Sequence, residues 1–130
     1  MEIPTNTEVL ESATSVTWLD ENGIVCSVSR KAQPASVEEA KRILDEFKNW
    51  VGNKKVCLLI DVTNSGESSK EMRDYAAVEF PKFIKAMAMI SRSVLGKMLA
   101  NLFFSVKTQP YPVKMFNSEA EAKDWLKQYL

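Results

Sequence analysis

The chain has 130 residues, with 17 basic and 17 acidic side chains and no histidine. This length favours one domain with a substantial core, and the balanced charge favours neither nucleic acid nor an anionic membrane as a partner. No apolar stretch approaches the roughly 20 residues that span a bilayer, and the acidic, polar start is unlike a signal peptide, so we expect a cytoplasmic protein without a membrane span. Without histidine, the commonest general base and a frequent metal ligand are missing. We therefore expect no catalytic residue, no metal and no cofactor.

The first elements predicted are an N-terminal segment and a β-hairpin. Residues 1–13 are expected to be flexible or to form an edge element, and residues 14–130 to form a single domain. In "SVTWLDENGIVCSVS", apolar and polar residues alternate on both sides of "DENG", where Gly23 can adopt positive φ. Cys26 in this hairpin and Cys57 further on lie in apolar runs without metal-ligand spacing, so we interpret both as buried small hydrophobes.

The stretch "SVEEAKRILDEFKNWVG" predicts the first helix. Its apolar residues recur at three- and four-residue steps and give one apolar face. Ser36 and Glu39 have the spacing of a capping box, in which each side chain satisfies a free backbone N–H group. Gly52 is a typical residue for the end of a helix.

The next segment, "KVCLLIDV", predicts a buried strand, because its apolar run is continuous and therefore favours burial on both faces. Ser68 and Glu71 repeat the capping-box spacing and predict the start of a second helix. Pro81 is expected to end or kink that helix.

The rest of the chain alternates in the same way. "KAMAMIS" predicts a buried strand, "SVLGKMLANLFFSV" a helix, "PVKMF" a short strand and "SEAEAKDWLKQYL" a final helix with a third capping box. The residues expected to point inward from these two helices are Val94, Leu95, Met98, Leu99, Leu102, Val106, Ala122, Trp125, Leu126 and Tyr129.

The order of elements is β-β-α-β-α-β-α-β-α. Alternation of strands and helices favours a largely parallel sheet, and the opening hairpin makes it mixed. The predicted fold class is α/β, with a mixed four- to five-stranded sheet and about four helices.

Two loops that follow buried strands are the candidate functional surface. Ligands of such sheets usually bind beyond the carboxyl ends of the strands, and helix N-termini there suit an anion. The alternative is that the serines only cap helices and that the arginine is solvated. Neither GxxxxGK[ST] nor GxGxxG is present. The residues of this predicted anion or partner surface are Asp61, Thr63, Asn64, Ser65, Ser68, Ser69, Arg73, Ser91, Arg92 and Ser93.

A second candidate surface is a homodimer contact. Phe103 and Phe104 are consecutive, so they cannot both face the core of one helix. We expect Phe104, together with Tyr111, to contribute to contact with a second copy.

Several segments together resemble small bacterial proteins of the STAS/Sec14-like type, also called SpoIIAA-like. The segments are "IDV…SKEMRDYAA", "ISRSVLGKMLANLFF" and "YPVKMFNSEAEAKDWL", and the resemblance extends from about Val16 to Leu130. It implies a mixed sheet with alternating helices.

The resemblance also implies a function. STAS proteins bind a kinase-like partner and are switched off by phosphorylation of a serine in a loop before a helix. This chain has "NSGESS" there, so Ser65, Ser68 and Ser69 are analogues by location only, and Glu67 and Glu71 would oppose a phosphate. The leading hypothesis is a non-catalytic regulatory or protein-interaction module. The alternative is a protein that binds a small anion or a lipid-like apolar molecule.

Overall fold

The structure is a computed structural model that describes residues 1–12, 14–30, 36–52, 54–64, 69–94, 98 and 110–130. Its centre is one six-stranded sheet in which the strands follow one another in chain order. The three helices with described bounds are α1, α2 and α3. The bounds are β1 Val9–Glu11, β2 Ser15–Leu19, β3 Val25–Ser29, α1 Val37–Val51, β4 Val56–Asp61, α2 Lys70–Glu79, β5 Ile84–Ile90, β6 Val113–Phe116 and α3 Glu119–Lys127.

The sheet is mixed, as predicted. Strands β1, β2 and β3 are antiparallel neighbours, whereas β3 to β6 are parallel. The predicted hairpin is confirmed: β2 and β3 pair over their whole length, and Gly23 in the turn has a φ of 82°. The carboxylate of Asp20 fixes this turn, because its Oδ1 accepts hydrogen bonds from the backbone N–H groups of Asn22 and Ile24.

Helices cover the two faces of the sheet. α1 and α2 join neighbouring parallel strands and pack on the same face, as crossovers of one hand require. α3 follows the last strand and packs on the opposite face, where Ala122 and Leu126 are completely buried. The side chains that form the core on that face are Val16, Trp18, Ile24, Cys26, Cys57, Leu59, Ala86, Ala88, Ile90, Ala122 and Leu126.

Strand β4 has unequal faces. Cys57, Leu59 and Asp61 are buried towards α3, while Leu58 and Ile60, on the other face, are only partly buried. The predicted strand is confirmed, and it pairs with β3 on one side and β5 on the other. The predicted burial on both faces is complete on one face only.

The strand count departs from the prediction of four to five. The additional strand is β1, three residues long, which lies in the segment expected to be flexible or an edge element. Its residues pair antiparallel with β2 from Trp18 to Val16. A strand this short has too few residues for a clear alternation, so its partner strand determines its conformation.

Two of the three predicted helix N-cap residues are confirmed. Ser36 and Ser118 accept hydrogen bonds from the backbone N–H groups of Glu39 and Glu121. The prediction that Ser68 caps the second helix is wrong: the N-cap of α2 is Ser69, whose Oγ accepts from the N–H group of Met72. Because serines occupy both positions, the sequence leaves the start of α2 ambiguous by one residue.

Two predicted inward residues point to solvent instead. Val94 and Met98 are helical, but they are 77% and 62% exposed. Their four-residue spacing puts them on one helix face, as predicted, and both side chains on that face are exposed. The other residues predicted for this helix lie outside the described residues. At the end of α2, Pro81 lies in a 3-10 helix from Phe80 to Lys82, so the predicted break is confirmed.

No helix in the described parts of the chain combines the length and the apolar character that crossing a bilayer requires.

Replacing Leu126 with alanine should destabilise the fold strongly. Its side chain is 0% exposed between α3 and the sheet, so we expect the free energy of unfolding to fall by about 2–5 kcal/mol. Leu130, which is 53% exposed, is the matched control, and Leu130→Ala should change stability by no more than about 0.5 kcal/mol. Urea unfolding of both variants measures the difference. Equal losses would contradict the described packing of α3.

Candidate functional site

Asp61 is the last residue of β4 and lies at the carboxyl edge of the sheet. Alternation along the strand directs it to the same face as Cys57 and Leu59. It is 6% exposed and is the only charged residue among the buried residues that the structure describes. A buried carboxylate needs partners for both oxygens, because an unpaired charge in the interior is costly.

Both carboxylate oxygens of Asp61 have partners. Oδ1 accepts hydrogen bonds from the backbone N–H group of Thr63 at 3.0 Å and from its hydroxyl at 2.6 Å. Oδ2 lies 2.8 Å from the α-ammonium nitrogen of Met1, which is shielded from solvent. The side chain of Met1 packs against the core beneath α3 and so anchors the ammonium group.

These contacts determine the protonation of Asp61. Burial alone would raise its pKa, but the hydrogen bonds from the Met1 ammonium group and from Thr63 outweigh burial and hold the pKa below the ordinary value of 3.8. The carboxylate is therefore ionised near neutral pH. A proton-donating role for Asp61 does not fit this environment.

The loops that follow β4 and β5 meet at this edge. The hydroxyl oxygen of Thr63 accepts a 3.0 Å hydrogen bond from the backbone N–H group of Arg92. The N–H group of Val62, the residue before Thr63, donates to the carbonyl oxygen of Ile90, the last residue of β5, at 2.8 Å. The sequence places the two loops 29 residues apart, yet the structure joins them side by side, as parallel neighbouring strands require.

The second loop is folded around Ser91. Its hydroxyl accepts from the backbone N–H group of Ser93 at 3.1 Å and donates to the carbonyl oxygen of Ser93 at 2.8 Å. Ser91 is buried, while Arg92 between these serines is exposed. The turn thus projects the guanidinium group outward from a fixed backbone.

An open cleft of about 170 Å³ lies between these loops and the start of α3. Five of its residues were not predicted as part of a site: Met1, Ile90, Asn117, Ser118 and Glu119. The capping signal at Ser118 was recognised, but nothing in the sequence indicated that α3 would start at this edge. Met1 was missed because a chain terminus has no local pattern. The cleft is lined by Met1, Asp61, Thr63, Ile90, Ser91, Arg92, Asn117, Ser118 and Glu119.

The other predicted site residues are only partly accounted for. Asn64 is exposed beside Thr63, Ser69 caps α2, and Arg73 is half-buried in the first turn of that helix. Ser65 and Ser68 lie outside the described residues, as does Phe104. The structure therefore unites Asp61, Thr63, Ser91 and Arg92 in one cleft, with Ser93 in the turn behind it.

Tyr111 does not present the exposed ring that a dimer contact needs. It is 7% exposed and packs in a cluster with Val62, Met87 and Met89. Its burial raises its pKa to about 12, and its hydroxyl has no hydrogen-bond partner among the residues that the structure describes. The homodimer remains a prediction.

Neither cysteine resembles a nucleophile or a metal ligand. Cys26 and Cys57 are buried thiols, and burial raises the pKa of both, to about 12 for Cys26. Within the described residues, no three side chains of the metal-binding types come together. The cleft offers hydroxyls, a charged rim and backbone groups, which can bind a polar partner.

One family model and two solved structures match this chain. The model of a family described as a domain of unknown function, DUF7793, matches residues 17–130, so the chain belongs to that family. A crystal structure of an uncharacterised protein of the DUF3478 family from Shewanella loihica PV-4, described as having a SpoIIAA-like fold, is 18% identical with a TM-score of 0.56. The match covers 97% of this chain and 98% of that chain. The SpoIIAA-like fold is thereby confirmed.

A second crystal structure, of a protein with unknown function from Arthrobacter sp. FB24, is 22% identical. The match covers 85% of this chain and 97% of that chain, with a TM-score of 0.32, which is too low to support an argument about fold. No curated protein matches the sequence.

Asp61→Asn should lower stability in a pH-dependent manner. The folded-state pKa of Asp61 is depressed, so its contribution is present above the unfolded pKa near 3.8 and is lost as the pH falls below that value. Near pH 7 we expect a loss of about 1.5–3 kcal/mol, the range for a hydrogen bond to a charged group. Urea unfolding at several pH values measures the difference in the free energy of unfolding between wild type and variant. This difference should disappear in acid. Asp124→Asn, on an exposed side chain, should show no such difference.

Thr63→Val should loosen the junction between the two loops. The valine removes a donor to Asp61 and the acceptor for the Arg92 N–H group, so we expect a loss of about 1–3 kcal/mol. Thr63→Ser keeps the hydroxyl and is the matched control. Hydrogen exchange at the Arg92 amide should accelerate in the valine variant only. Unchanged exchange would show that the bond does not hold the loop.

Proposed function

We propose that this member of the DUF7793 family is a non-catalytic interaction module of STAS-like type that binds a partner protein in the cytoplasm. Its working surface is the carboxyl edge of β4 and β5, formed by the loops around Thr63 and Arg92 and by the start of α3. The observation on which the proposal rests is the hydrogen bond from the Arg92 N–H group to Thr63 Oγ1, which makes one rigid rim from two loops.

The chemistry of the rim supports binding rather than turnover. Asp61 is ionised and fully engaged, and the two thiols are buried away from the cleft. Arg92, by contrast, is exposed on a backbone held by Ser91 and Thr63. Because the backbone that carries this charged side chain is already fixed, binding costs little backbone conformational entropy. The positive charge suits recognition of an acidic group on a partner.

Ser69 is the position at which this module could be regulated. Its hydroxyl caps α2, so a phosphate there would lie at a helix N-terminus, where negative charge is stabilised. Glu71 in the first turn opposes that charge. A phosphate on Ser69 would alter the charge of the loop that follows β4 without removing the cap.

Arg92→Glu should weaken binding of the partner by about tenfold or more, because a like charge at an acidic partner surface is repulsive. The substitution keeps the backbone N–H group that binds Thr63, so the rim itself remains intact. Lys41→Glu, on an exposed position of α1, is the matched charge reversal. A partner is first captured by a photo-crosslinking residue at position 64, which is exposed beside Thr63 and leaves Arg92 in place, with position 41 as control. Affinities of the purified pair are then measured by calorimetry, and equal affinities for wild type and Arg92→Glu would refute the proposal.

Self-association is tested separately. The predicted homodimer requires a contact that includes Phe104, so light scattering during size-exclusion chromatography should give twice the monomer mass for the wild type. Phe104→Ala should shift that mass towards the monomer. A monomer at high concentration would remove the homodimer from the proposal and leave the partner surface at Arg92 unaffected.

A further inference from the structure

One carboxylate oxygen of Asp61, Oδ2, accepts no hydrogen bond from the described residues of the loop that holds the other oxygen and is instead paired with a cation. Thr63 supplies both donors to Oδ1 of Asp61, and these come from the loop itself. Within the part of the chain that the structure describes, Oδ2 receives its 2.8 Å hydrogen bond from the α-ammonium group of Met1. Without that group, Oδ2 would be a buried charged atom that faces the cleft without a partner.

The other charged residues that line the cleft do not perform this role. Glu119 has its own cation, because Lys123 Nζ lies 3.3 Å from its Oε1. Arg92 is exposed, and no ion pair in the described part of the chain joins it to Asp61. The charge of Asp61 is therefore balanced by an ammonium group and not by the arginine at the rim.

The geometry favours an ammonium group over a guanidinium group. A guanidinium binds a carboxylate best through both oxygens at once, in a planar two-bond arrangement. In Asp61, Oδ1 already accepts two hydrogen bonds from Thr63, which leaves one oxygen accessible. A compact ammonium charge needs only that one oxygen.

We infer that the pocket at Asp61 Oδ2 is a binding site for a primary ammonium group, which the α-ammonium of Met1 occupies in this structure and which a lysine side chain of a partner can occupy in its place. The inference deepens the proposed function, because it names the group that a partner would insert at the rim. The pocket itself can be tested without any partner, so the two proposals fail separately.

The test compares two forms of the full chain, one with a free Met1 amine, verified by mass spectrometry, and one extended by Gly-Ser before Met1. The probe is N-acetyl-lysine methylamide, and the readout is the amide chemical shift of Thr63 and Arg92. We expect a saturable shift in the extended chain and an apparent affinity about tenfold lower in the free-amine chain, where Met1 competes. N-acetyl-norleucine methylamide, which lacks the ammonium group, should cause no shift.

Substitutions assign the response to the pocket. In the extended chain, Asp61→Asn should abolish the shift, whereas Asp124→Asn, an exposed aspartate on α3, should leave it unchanged. A response that survives Asp61→Asn, or no response in the extended wild-type chain, would overturn the inference. Loss of partner binding in Arg92→Glu would still support the proposed function in that case.

A second measurement does not need the extended chain to fold. Acetylation of the Met1 amine by an N-hydroxysuccinimide ester should be about tenfold slower in the wild type than in Asp61→Asn, because an amine that is bound to a buried carboxylate is less accessible to the reagent. The lysine amines of the same molecules serve as internal controls. Equal rates at Met1 in both chains would show that Asp61 does not bind the ammonium group.

Discussion

A charged carboxylate at the end of a buried strand requires compensation, and Asp61 imposes that requirement where β4 leaves the core. The loop after β4 satisfies one oxygen by turning Thr63 back on to it. The same threonine then accepts from the next loop, and an ammonium group satisfies the other oxygen. The edge of the sheet is therefore organised by the need to hydrogen-bond one side chain, and the cleft is the space that remains around it.

This arrangement places a negative charge inside the cleft and a positive charge at its exposed rim. Asp61 is inside, paired and shielded, while Arg92 is outside on a backbone that the same network fixes. A partner would meet a positive group first and a compensated negative group behind it. If the proposed function is correct, the rim would select partners through the exposed charge without the cost of burying a new unpaired one.

The sequence was sufficient for much of the fold, because periodicity and capping are local. The hairpin, the buried strand β4 and the caps at Ser36 and Ser118 follow from neighbouring residues. The failures occurred where local signals were degenerate. Ser68 and Ser69 are both plausible caps, and β1 takes its conformation from β2. Val94 shows that an apolar periodicity defines a helix face without showing which side is covered.

The site was predictable only as far as parallel strands bring their ends together. That rule united Asp61 and Thr63 with Ser91 and Arg92. It could not supply Met1, whose ammonium group reaches its partner through packing of residues 60 positions apart in the chain.

The order of the strands has a consequence for synthesis on the ribosome. Each strand pairs with the one that precedes it in the chain, so the sheet can grow by adding strands at one edge as the polypeptide emerges. One face of that growing sheet lacks its cover until α3 has been made, because Ala122 and Leu126 complete its core. The apolar side chains of β2 to β5 on that face therefore lack the cover of α3 until the last residues of this helix have been added.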